Sequence, residues 1–159
     1  MRTKISAIVL ALGLFSAAGA FAAGSAGAGP AGLSAVGVYG SVGSNAGALS
    51  GATGLSFKFG SFPVVGLTYN FTSSMLGASV DYYVIDAQGI ATSLSYFLGV
   101  GAFMGVGGGS FTAGLRVPVG LQFWPVKKLE LFLSPVLSVP LIPAPTVDIG
   151  AEFGLRVHF

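Results

Sequence analysis

The sequence contains no cysteine, one histidine and one tryptophan, and only 8% of its 159 residues are charged. Without cysteine there is no disulfide scaffold, no thiolate metal site and no lipidated N-terminal cysteine. A charged fraction of 8% is about a third of what a soluble globular domain carries. Beyond the N-terminus no window of about 20 large apolar residues occurs, so a helical membrane span is excluded as well. One histidine among scattered carboxylates makes neither a metal centre nor a nucleophile, base and orienting group, so no metal, no cofactor and no catalytic residue are expected. The glycine-rich stretch from Gly105 to Gly109 is followed by no lysine and opens no helix, which excludes a phosphate loop.

Hydrophobicity and glycine fill the space these absences leave. Residues of the hydrophobic class make up 53% of the chain, there are 26 glycines and 13 phenylalanines, and mean hydropathy is +0.84. Residues 1–22 read as a signal peptide: Arg2 and Lys4 form a positive start, Ile5 to Phe15 is an apolar run too short to span a bilayer, and Ala20, Phe21, Ala22 give a small-x-small cleavage pattern. Removing Arg2 and Lys4 leaves five basic side chains against five acidic ones, so no basic surface for nucleic acid remains. Residues 23–32, almost all Ala, Gly and Ser, read as a flexible lead-in.

From residue 33 to residue 159 the dominant period is two. The expected strands cover residues 33–42, 48–60, 64–72, 76–85, 90–102, 110–124, 129–141 and 146–159, with the facing of the first left open. Turns are expected near 61–63, 86–89 and 125–128 on the side of the chain ends, and at 43–47, 73–75, 103–109 and 142–145 on the other. The second set is short and uncharged. Pro118, Pro135 and Pro140 fall inside strands, where each removes a ladder donor and either weakens the strand or marks a bulge.

In each strand large apolar residues alternate with Gly, Ser, Ala and Thr. A soluble barrel would carry Lys and Glu in the polar phase, and the bulk of the large phase exceeds what the interior of an eight-stranded tube holds. The large phase is therefore expected to face lipid and the small phase a lumen. Lys58, Asp81, Arg116, Glu130, Asp148, Glu152, Arg156 and His158 share the small phase and are expected to form a lumen charge network. Glu130 is expected near Arg156 and His158, and Arg116 near Asp81 or Glu152. Asp86, Lys127 and Lys128 are expected in turns. Phe59, Phe62, Phe123, Trp124 and Phe159 fall at the terminal ends of strands and suit an aromatic girdle.

The chain ends Glu152, Phe153, Gly154, Leu155, Arg156, Val157, His158, Phe159. The placement of Glu152, Gly154, Val157 and the terminal Phe159 resembles the C-terminal assembly signal of bacterial outer-membrane β-barrels, with Val157 aliphatic where that family often has an aromatic. Together with the leader and the strand count, the chain resembles the small OmpA-type and OmpX-type barrels. That resemblance implies an all-β, antiparallel, up-and-down transmembrane barrel of about eight strands in the outer membrane of a diderm bacterium. It also implies outer-membrane lipid as surroundings, and barrel-assembly machinery and periplasmic chaperones as partners during biogenesis.

The leading functional expectation is a structural barrel with a mostly occluded polar lumen. The alternatives are a narrow porin-like channel, a surface-binding protein and a glycine-rich fibril. Some barrels of this kind are lipid-modifying hydrolases with Ser and His on the lipid-facing surface. Here His158 lies in the lumen phase at the opposite end, so an enzyme is not expected.

Overall fold

The computed structural model describes residues 33–43 and 51–159; the expected signal peptide and lead-in, most of the first expected connection and the start of the second expected strand lie outside the described residues. Eight antiparallel strands follow one another: β1 (Ser34–Gly43), β2 (Thr53–Phe59), β3 (Val64–Asn70), β4 (Met75–Ala91), β5 (Leu94–Gly107), β6 (Ser110–Val126), β7 (Leu129–Ile142) and β8 (Asp148–His158). Each pairs with its neighbours in sequence, and β1 pairs with β8 from Ala35 opposite His158 to Gly43 opposite Gly150, closing the barrel. Closure leaves no strand of the described sheet at an open edge.

The register fixes the shape. Starting at Leu121 of β6, the ladder passes through Leu133, Phe153, Gly40, Thr53, Tyr69, Leu76 and Val106 and returns to β6 at Phe111, ten residues away. Such a stagger tilts the strands by about 35–45° and leaves an eight-stranded interior just wide enough to be filled by side chains.

Alternation then sorts the residues. Val36, Val38, Leu55, Leu67, Leu115, Leu121, Leu133, Phe153 and Leu155 are exposed on the outside, whereas Lys58, Arg116, Gln122, Glu130, Arg156 and His158 are buried inside. The first strand follows the same rule, with Ala35, Tyr39 and Ser41 inward and Val36, Val38 and Val42 outward. An apolar exterior around a charged interior inverts the soluble pattern.

Element boundaries depart from expectation most clearly at β4 and at the connection that follows β5. The expected turn at 86–89 lies inside β4, whose register against β5 shifts between Tyr83 and Ile85, between Ile85 and Gln88, and between Gly89 and Ala91. These bulges lengthen β4, and the real turn is at Thr92 and Ser93. The glycine-rich connection expected over 103–109 contracts to Gly108 and Gly109, both at positive φ, a conformation that glycine adopts without a Cβ clash. The prolines leave both strands intact. The β6–β7 register is the same on either side of Pro118 and Pro135 and shifts by one residue at Pro140, so Pro140 marks a bulge.

Candidate functional site: the charged lumen

Two clusters of buried charge fill the barrel interior. Deep in the lumen, Arg116 of β6 lies between carboxylates from two other strands: its Nη2 donates to Glu152 Oε2 at 2.7 Å, and its Nε lies 3.1 Å from Asp81 Oδ1. Asp81 comes from β4 and Glu152 from β8, so one guanidinium ties together three strands. A guanidinium suits this position because its planar fork carries several donors and keeps its charge when buried. Tyr39 and Ser79 adjoin the cluster, and Gly66 gives the Tyr39 hydroxyl room, since a Cβ there would run into it.

The second cluster lies toward the end where both termini emerge. Arg156 donates from Nη1 to Glu130 Oε1 at 2.7 Å, from Nε to Ser56 Oγ at 2.9 Å and from Nη2 to the Tyr83 hydroxyl at 3.2 Å. The other Glu130 oxygen lies 2.6 Å from His158 Nε2. Gln122 donates to Glu130 at 3.1 Å and accepts from Ser95, and Ser95 in turn accepts from Trp124 Nε1 at 2.8 Å. Lys58, with no exposed surface, pairs with Asp86 at 2.7 Å. Opposite charges within hydrogen-bond distance offset the large desolvation penalty that either would carry alone.

An aromatic layer adjoins the ion pairs. Tyr83 stacks on Phe97 with ring centroids 4.6 Å apart, the Arg156 guanidinium sits 4.0 Å from the Phe132 ring centroid, and Tyr39 is 6.5 Å from Phe132. Tyr39, Val64, Tyr83, Phe97 and Phe132 form one buried cluster. Phe97 can lie across the lumen because Gly120 faces it, where an added Cβ would collide with the ring. A cavity of about 10 Å³, comparable to one water, lies between the two charge clusters, lined by Tyr39, Ser79, Asp81, Glu152 and Arg156 among others.

Most of the expected lumen residues come together here. Lys58, Asp81, Arg116, Glu130, Glu152, Arg156 and His158 are all buried inside. Asp148 opens β8 opposite Ser138 and is only partly buried.

Two placements differ from expectation. Asp86 is in no turn: the β4 bulges bring its carboxylate into the lumen against Lys58, a partner that strict alternation does not supply. Trp124 is not part of an outer girdle. It is only 4% exposed, its ring lies 4.9 Å from that of His158, and its N–H is satisfied by Ser95. It shares the inward phase of Gln122 and so does not face the outside of the barrel. Phe59, Phe62, Phe123 and Phe159 are exposed on the outside at the terminal end. Tyr82 joins them through an edge contact with Phe62 at 6.0 Å, and Tyr69 and Phe71 make a similar pair, 4.8 Å apart, at the opposite end.

The C-terminal residues close the barrel. Val157 and Phe159 point outward, while Glu152 and Gly154 lie in the inward phase. At Gly154 a Cβ would collide with the Val38 carbonyl, lie 2.6 Å from Tyr39 Cβ and 2.9 Å from the Phe132 ring, so close strand approach demands glycine there. Among the described residues no group of three or more His, Asp or Glu is arranged to hold a metal ion.

No protein-family model and no curated protein matches this chain. Among solved structures, the crystal structure of Neisserial surface protein A is similar, with 19% identity over 80% of this chain and 96% of that chain and a TM-score of 0.42.

Proposed function

We propose that this chain is an integral outer-membrane β-barrel whose role is structural and whose lumen is closed to ions and solutes. The observation that carries this reading is the lumen filling. Three cations and four carboxylates are buried in ion pairs inside the barrel beside a cluster of aromatic rings, and the cavity between them is about 10 Å³. An ion entering this lumen would have to break buried pairs, each break leaving an uncompensated charge that costs about 3–5 kcal/mol. The apolar exterior, the aromatic residues at both ends and the C-terminal assembly pattern support an outer-membrane location, reached with the help of periplasmic chaperones and assembly machinery.

His158 Nε2 is engaged by Glu130, and Nδ1 has no hydrogen-bond partner among the described residues. Three of the connections at the end away from the termini, residues 71–74, 108–109 and 143–147, are short, which weighs against a loop-borne receptor site on them.

The test is planar-bilayer recording of the refolded chain from Ala23 to Phe159. The reading expects no unit conductance from protein shown to be inserted by its heat-dependent gel mobility. A reproducible unit conductance altered by Arg116→Ala overturns it in favour of a narrow channel using the lumen charges.

A further inference from the structure

Charge is almost absent from the outside of this barrel. Of the charged residues from Lys58 to Arg156, all but Lys127 and Lys128 are buried or partly buried inward; these two, in the β6–β7 turn, are the exposed ones among the described residues. The opposite end of the barrel presents Phe71, Leu141, Ile142, Val147 and Ile149 to the outside and no fully exposed charge among the described residues. Two adjacent lysines in a turn are ordinarily a solvated tip. Here they rise directly from an apolar collar: Phe123, Val126 and Phe159 are exposed by 47%, 60% and 69% beside them.

Their backbone is also held. Val126 pairs with Leu129 across the turn, and the His158 amide donates to the Lys128 carbonyl at 2.8 Å, tying the turn to the last residues of β8. An ammonium pair on a fixed backbone above a belt of Phe and Val matches one kind of partner: a molecule with a phosphate at one end and acyl chains at the other. Long lysine stems reach from the edge of an apolar surface toward the phosphate layer.

We propose that Lys127 and Lys128 are a docking point for anionic phospholipid headgroups in the leaflet on the side of the chain termini, while the uncharged opposite end makes no ionic contact with lipid. This rests on the membrane reading above. An anionic surface attracts each nearby lysine by about 1 kcal/mol, so the pair confers a preference of about thirtyfold for anionic over zwitterionic lipid at that contact.

The experiment is native mass spectrometry of the chain from Ala23 to Phe159, folded in micelles doped with equal phosphatidylglycerol and phosphatidylcholine, beside the double variant Lys127→Gln, Lys128→Gln. Wild type is expected to retain phosphatidylglycerol preferentially, the preference is expected to fall to near equality in the double variant, and Lys127→Arg, Lys128→Arg is expected to keep it. Equal retention by wild type and the Gln variant overturns the proposal. Displacement of the lipid by millimolar inorganic phosphate also overturns it, since the turn would then bind free phosphate. Folding in phosphatidylcholine alone, read by heat-dependent gel mobility, reports on the barrel reading separately; a chain that fails there overturns both.

Discussion

At the residue scale the lumen depends on side chains whose removal leaves a buried partner exposed to nothing. Arg116→Ala strands Asp81 and Glu152 in the interior, and the expected loss is about 3–5 kcal/mol of stability. Urea unfolding in lipid vesicles measures it, and a loss below about 1 kcal/mol contradicts the pairing. Gly154→Ala tests close approach: a Cβ against the Val38 carbonyl, Tyr39 and Phe132 overpacks the β8–β1 seam, with an expected loss of about 1–3 kcal/mol by the same assay. The sequence makes the inward phase of Arg116 legible, since a charge on the other face would meet lipid. It offers Asp81 and Glu152 only as alternative partners, and Arg116 meets both because the stagger around the closed barrel brings them together. Trp124 was equally legible by phase, as it alternates with Phe123 and shares the side of Gln122. The association of tryptophan with membrane interfaces points the other way, and the pleat decides because it fixes the direction of every side chain.

At the element scale β4 is the strand where local chemistry misleads. Asp86, Ala87, Gln88 and Gly89 have the composition of a turn, yet they continue the strand through successive bulges. The reason is long-range: the bulges bring Asp86 into the lumen opposite Lys58, which has no exposed surface and needs a counter-charge. Asp86→Ala is therefore expected to destabilise the barrel by about 3–5 kcal/mol, whereas Ala substitution of exposed Lys127 stays within about 0.5 kcal/mol. Equal effects of the two substitutions, compared by urea unfolding, contradict an internal role for the bulges. Boundaries elsewhere moved by a few residues for a related reason. Strand ends are set by how far the neighbour extends, as where β5 runs on to Gly107 because β4 and β6 pair with it that far.

At the scale of the whole molecule charge lies inside and apolar surface outside, and the proposed function puts lipid beyond that surface. An outward charge midway along a strand is then expected to be far worse than one at the rim. Leu115→Arg should cost about 2–4 kcal/mol and Val126→Arg, beside Lys127, about 0–1 kcal/mol, both read as unfolding free energies in vesicles. The even strand count and the antiparallel order were readable from period and turns alone. Closure and stagger belong to the pairing of β1 with β8, which local pattern does not encode.

The most direct test uses the absence of cysteine. Single cysteines at Leu131, Leu133 and Leu141, which are exposed outward, and at Ser134, which is 1% exposed and inward, sample one strand of the folded barrel in vesicles. A maleimide dissolved in the lipid phase is expected to label the three outward positions and to spare position 134. Equal labelling of both sets, or labelling at 134 alone, would contradict a barrel that turns this face to lipid.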